Sequence, residues 1–359
     1  MSTKKFGLKR HSGSWGAELA LGATSGVLIE GDLTMPMGAP EALPNQGIGQ
    51  AIPREPDAGN YTDLSGGFMS HMRYTGHEEL LACFFGDDQV ETVVAGAFLR
   101  ELVWQEDLGG VFMTGAADYE EHGRKSWPGV KVSGVTINAV TGKPTELTVE
   151  VVAAQPVLDG SVNTQAVLNA LAPLTTILRV LGPHGVLRIN LKSGSALAAG
   201  DQVKADKATI APKRPTNPHF YLGSRSTDEP FESGESTFEI TITVPKQTTG
   251  SLPNTKGFLA GLQAGSIYKM DLVFTGGAIG ATGHNYTVGI YLPALLLGGG
   301  FKDALTNPFV NECTLAFTAS GTDTAPSGMQ VADGFVSDIK EPIRMTIKNA
   351  NSVDYLPAV

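Results

Sequence analysis

Phe238, Ile240, Ile242 and Val244 alternate with Thr237, Glu239, Thr241 and Thr243. A period of two places all four apolar side chains on one side of an extended strand and leaves no stripe for a helix to bury. Residues 127–156 hold two more alternating runs around Thr141, Gly142, Lys143 and Pro144, which predicts a hairpin. With 44 glycines and 21 prolines in 359 residues, turns interrupt the chain too often for long helices, so the fold class expected is mainly β. The length suffices for two ordinary domains or one large one.

Residues 31–66 contain five prolines and no sustained period, and are predicted to form a long working loop that meets a partner. A strand follows, with Phe68, Ser70, Met72 and Tyr74 on one face and His71 and Arg73 on the other. Thr75 and Glu78 form a capping-box pattern ahead of a short helix carrying Leu80, Leu81 and Phe84, and Gly86 supplies its stop. The strand of residues 96–106 and the hairpin of 127–156 complete a unit. That order recurs: a strand at 236–245, a helix capped by Asn254 with Phe258, Leu259 and Leu262, a stop at Gly265, a strand at 266–277, and a hairpin from 286–297 and 311–320. Each helix cap and stop is displaced by the same interval, which reads as an internal duplication. The expected domains are 1–160, a connecting β segment at 161–230, and 231–359. Residues 163–185 fit a broken helix or two strands equally.

The formal net charge is −10. Nine carboxylates, Asp87, Asp88, Glu91, Glu101, Glu106, Asp107, Asp118, Glu120 and Glu121, stand between residues 87 and 121 against Arg100 alone. A nucleic-acid grip needs the opposite sign, because counterion release by Lys and Arg supplies most of that affinity. Familiar chemistry is not readable. His77 begins a His-Glu pair, but the residue four further on is Leu81, so two imidazoles cannot share a helix face. The glycine-rich run at 276–283 precedes a strand where a phosphate site needs a helix start. Cys83 and Cys313 lie alone in apolar stretches and read as small buried hydrophobes. No enzyme, cofactor, metal or membrane span is expected. Trp15 and Trp127 serve either as core or as interface anchors.

Five stretches carry a family resemblance: SWGAELALGATSGV near the start, GFMSHMRYTGHEELLACFFG, WPGVKVSGVTINAVTGKPTELTVEVVA, YTVGIYLPALLL and NECTLAFTAS. Together they resemble the major tail tube proteins of bacteriophages with long, non-contractile tails. The resemblance implies tandem β-sandwich subdomains, each with a flanking helix, whose sheets join those of neighbouring copies in an inner β-barrel. Rings of such subunits would stack into a virion tube that conducts DNA, assembled in the host cytoplasm alongside tape-measure, terminator and tip proteins. Two subdomains per chain would make a ring of three with pseudo-sixfold symmetry, where single-domain relatives need six. The loop at 31–66 would reach the adjoining ring, with Pro44, Ile48, Ile52, Arg54 and Tyr61 as contacts. The nine carboxylates either line the lumen, where they repel phosphates, or sit on the outer surface and keep the free subunit soluble.

The competing reading is a surface β-sandwich binding module of a virion that recognises a receptor or glycan. Sugar-binding modules offer clustered exposed aromatics, whereas the aromatic content here is 7% and dispersed.

Overall fold

The computed structural model describes residues 5–43, 56–119, 123–173, 175, 178–245, 255–299, 312–329 and 338–356. The chain is mainly β. It opens with β1 (Phe6–His11), β2 (Gly26–Val27), β3 (Leu33–Thr34), β4 (Ala39–Leu43), β5 (Asp57–Thr62) and β6 (Ser65–His71). Helix α1 (Glu78–Phe85) leads into β7 (Gly86–Val94) and β8 (Ala97–Trp104). Next come β9 (Phe112–Asp118), β10 (Arg124–Val140), β11 (Glu146–Ala153), β12 (Val157–Leu158) and the short α2 (Gln165–Ala170). Then follow β13 (Gly185–Leu191), β14 (Lys207–Lys213), β15 (Thr216–His219), β16 (Asp228–Glu232) and β17 (Thr237–Pro245). Last are α3 (Thr255–Gln263), β18 (Ile267–Ala278), β19 (Asn285–Gly299), β20 (Glu312–Ser320) and β21 (Arg344–Asn349).

Hydrogen-bonded neighbours give the first half the order β1-β9-β10-β11-β6, antiparallel throughout. The second half repeats it as β13-β18-β19-β20-β17. In each half the helix lies between the second and third strands in chain order. The partner of β18 in this scheme is β9 and not β8, which corrects the sequence-based match to residues 96–106. The β7–β8 hairpin is an addition to the first half, and β8 pairs across to β21. Residues 185–213, expected within a connecting segment, supply the edge strand β13 and the strand β14 of the second half.

One strand joins the two five-strand sets. β14 pairs with β10 on one side and with β17 on the other. Seventeen strands are thereby linked through sixteen pairings, which makes a branched path. A sealed ring would need one pairing more, and none is present among the described residues.

The alternation in β17 does what its period requires: Phe238, Ile240, Ile242 and Val244 are all buried. At about 2 kcal/mol each, these four side chains contribute on the order of 8 kcal/mol before the entropic cost of ordering them. They enter one core shared by both halves, in which the rings of Trp104 and Phe238 approach to 4.7 Å. Trp127 is completely buried and donates to Pro36 O at 2.8 Å, so it is core. Trp15 packs edge-on to Phe112 and donates to Thr227 O.

Helix α1 buries Leu80, Leu81 and Phe84 and stops at Gly86, whose φ of 95° a side chain would strain. Its start differs from the capping-box expectation. His77 is the boundary residue, and the Glu78 carboxylate accepts from Gly76 N and from the amides of Asn349 and Asn351 in the C-terminal segment. Two side-chain amides brought from the far end of the chain hold the carboxylate that local pattern assigned to Thr75. Asn254, the expected cap of α3, lies outside the described residues, while Gly265 closes α3 at φ 62°. Residues 31–66, expected as an unpaired loop, carry β3 and the β4–β5 ribbon.

Candidate assembly surfaces

Six strands, β6-β11-β10-β14-β17-β20, cross both halves as one antiparallel surface. Because the strands are in register, outward side chains form rows. One row runs His71, Glu146, Asn138, Thr209, Thr241, Ala316. Asn138 donates to Glu146 Oε2 at 2.9 Å and receives Thr209 Oγ1 at 3.1 Å, so the row is tied laterally across the junction of the halves. In β20 the outward positions are Glu312, Thr314, Ala316, Thr318 and Ser320, and the inward ones Cys313, Leu315, Phe317 and Ala319. Thr136, Thr148, Thr209, Thr241, Thr243, Thr314 and Thr318 make this surface rich in short hydroxyl side chains. Threonine suits it twice: branching at Cβ favours the extended backbone, and the hydroxyl keeps the outer side wet. Of its two β14 lysines, Lys207 and Lys213, the second is paired with Glu150 at 2.8 Å. The sequence held this signal in the alternating threonines of β17 and β20, but only the pairings show that six strands share one side.

A second surface is made by two ribbons, β4–β5 and β15–β16. They occupy the same place in their halves, between the edge strand and the strand preceding the helix. They touch, with Tyr61 N donating to Arg225 O at 3.1 Å. Beyond β15 the turn presents Tyr221 and a fully exposed Leu222, with Phe231 exposed on β16 and Leu43 on β4. Apolar exposure of this kind is common on surfaces that meet another macromolecule. Of the residues expected to reach a neighbouring ring, Tyr61 sits half-buried on β5, whereas Pro44, Ile48, Ile52 and Arg54 lie outside the described residues. Sequence reading missed the second ribbon, although its His219, Tyr221 and Phe231 rings pack together.

The nine carboxylates do not form one wall. Asp88 and Glu101 are buried, which removes them from any lumen-facing set: Asp88 pairs with Arg100, and Glu101 pairs with Arg344 at 3.1 Å. Asp87 is half-buried and accepts from Gln89, and Asp118 is half-buried and accepts from Gln165. Glu91, Glu106 and Asp107 are exposed. Glu120 and Glu121 lie outside the described residues.

A cation anchors the second ribbon. Arg214, directly after β14, is buried with its guanidinium 3.6 Å above the Trp104 ring. It donates to Phe84 O, Phe85 O, Gln105 O and Glu232 Oε1, so it closes the C-terminal end of α1 and the foot of β16 together. Burial lowers its pKa to about 10, with Glu232 opposing.

His71 and His77, the two histidines nearest to an acid-base arrangement, serve structure. His71 pairs with Glu30, which also holds Arg73. His77 is buried beside Ser70 Oγ, 3.3 Å from Nε2. Burial holds its pKa down at about 4, with the Arg73 charge adding and Glu30 opposing. The native state therefore binds fewer protons here than the unfolded chain between pH 6.5 and 4. The stabilisation is full above pH 6.5 and is lost as pH falls towards 4, a loss of about 3 kcal/mol. Urea unfolding of His77→Gln at pH 7.5 and pH 4 should show that much less acid destabilisation than the parent. Equal acid losses in the two proteins would remove His77 as the cause.

Cys83 and Cys313 are buried free thiols, and burial pushes the Cys83 thiol up. Among the described residues no group of three His, Cys, Asp or Glu side chains converges to hold a metal, and no helix is long and apolar enough to cross a membrane. No protein-family model matches the chain, and no curated protein matches it either.

Proposed function

We propose that this chain is a structural virion subunit that polymerises into stacked rings forming a phage tail tube, the channel for DNA during ejection. The observation that carries the reading is the repeated five-strand order with β14 joining the two repeats into one surface. Among the described residues β3, β7 and β13 each pair with one strand alone, which leaves strand borders for other copies to meet. An open border is a template for pairing, and a heterologous contact that closes by rotation makes a ring. Three chains, each with two equivalent units, give a pseudo-sixfold ring, which is favoured over six chains. Tape-measure, terminator and tip proteins are the other expected partners.

The threonine-rich surface is the lumen lining in this reading. DNA in transit must not be held, and a surface of hydroxyls with four carboxylates (Glu146, Glu150, Glu239, Glu312) against two lysines offers phosphates no grip. The exposed remainder of the acidic block, Glu91, Glu106 and Asp107, keeps the free subunit soluble or adds to the repulsion. The paired ribbons are the contact between stacked rings.

The apolar turn around Tyr221 and Leu222 favours one other reading, a virion surface module that binds a receptor or glycan. Electron microscopy of the concentrated protein separates the two: hollow filaments or rings of uniform diameter are expected. Dispersed single particles at every concentration would contradict the tube.

A further inference from the structure

A lysine, a side-chain amide and a carboxylate converge where the edge strand β13 lies against β18. Asn190 and Lys269 stand directly opposite each other in the antiparallel register. The side chains of such a pair leave the sheet on the same side, with Cβ atoms about 5 Å apart. Tyr268, Met270 and Leu272 enter the shared core, so Lys269 takes the other face of β18. There it is completely buried, and its Nζ donates to Gly194 O and Ser327 O, both at 2.9 Å. Both acceptors are neutral carbonyls. Burial lowers the Lys269 pKa, with Asp201 opposing. Desolvation of this kind raises the share of free amine, the form that attacks a carbonyl carbon.

Asn190 is held as an electrophile needs to be. Leu191 N donates to its Oδ1 at 2.7 Å, and its Nδ2 donates to Asp201 Oδ1 at 2.9 Å. The first contact draws charge towards the oxygen, where an attack on Cγ would place it. The second sets a proton carrier on the nitrogen that would leave. Asp201 is fixed in turn, because its Oδ2 accepts from Ala198 N at 2.8 Å. Gly194 touches both reactants: its oxygen accepts from Lys269, while a methyl group on its α-carbon would stand 3.3 Å from Asn190 Cγ.

We propose that Lys269 and Asn190 become joined by an intramolecular isopeptide bond, which the folded chain forms by itself with Asp201 as the proton carrier. The free amine Nζ of Lys269 attacks Asn190 Cγ, and Leu191 N holds the oxygen of the tetrahedral intermediate. Asp201 accepts a proton from Nζ and passes it to Nδ2. The Cγ–Nδ2 bond then breaks and ammonia leaves. One amide replaces another, so the step consumes no oxidant, reductant or activating group. The bond would tie down a strand that needs it. Among the described residues β13 pairs with β18 alone, and a strand held on one side is among the first parts of a sheet to open. The chemistry is complete within one chain and holds whether or not copies assemble into a tube.

Mass spectrometry of the full, unmodified chain tests it without a variant. The intact protein should be lighter than its sequence by one ammonia. A tryptic digest should contain the peptides of Asn190 and Lys269 as one branched species, with no cut after Lys269. Lys269→Arg, which keeps a cation but offers no comparable nucleophile, should retain the ammonia. Freshly purified Asp201→Asn should retain it as well, since losing a general acid–base slows such a step about a hundredfold. A parent protein of full mass overturns the proposal, and so does ammonia loss with the two peptides still separate. A fully linked Asp201→Asn variant would overturn the part given to Asp201.

Discussion

Arg214→Met is expected to lower the unfolding free energy by about 3–5 kcal/mol, read from the urea midpoint at constant slope. The loss comes from what the guanidinium leaves behind. The carbonyls of Phe84, Phe85 and Gln105 and the Glu232 carboxylate all direct acceptors at it from two parts of the fold. Methionine can cover the Trp104 ring but donates to none of them. Arg214→Lys should recover less than half of the loss, because an ammonium carries charge without the planar fork that reaches three carbonyls and stacks on an indole. Full recovery by lysine would mean that charge alone matters at this site. The same variants should loosen the foot of β16, seen as faster amide exchange in the β15–β16 ribbon.

Arg100→Met should cost a similar amount, about 3–5 kcal/mol near pH 8, by leaving the Asp88 carboxylate buried without its cation. Burial already raises the Asp88 pKa, and the Arg100 charge is the largest influence opposing that rise. Removing it moves the folded value further above the unfolded one. The native variant then takes up a proton that the unfolded chain does not. Its deficit is full above the folded pKa and shrinks as pH falls through that value towards the unfolded one near 4. Arg100→Met with Asp88→Asn should recover most of the stability at pH 8, since asparagine still accepts from Tyr355 N without a charge. The C-terminal segment should respond too. Arg100 donates to Val353 O and lies over the Tyr355 ring, so exchange around residues 351–356 should quicken in the single variant. A deficit that does not change with pH would argue against stranded charge as the cause.

Local pattern was enough where neighbours in sequence decide the structure. The inward residues of β17, the glycine stop of α1 and the turn at residues 141–144 follow from period and residue type. Pattern failed where a distant partner decides. Thr75 and Glu78 look like a capping box until Asn349 and Asn351, some 270 residues on, take the carboxylate. Asp88 and Glu101 look like surface acids until Arg100 and Arg344 meet them in the interior. The proline-rich stretch lacks a period because a two-stranded ribbon with most side chains exposed has no inner face to encode. β14 fell within the segment expected only as connecting β, and nothing in its seven residues says that it joins two sheets. The recurring order of elements was legible, and its correct alignment, β9 with β18, required the pairings.

The account stands most directly on the mass and symmetry of rings isolated from the assembled protein. It predicts three chains per ring, with true threefold symmetry and six nearly equivalent sheet units around the lumen. A ring of six chains, or a protein that remains a single chain at every concentration, would contradict it.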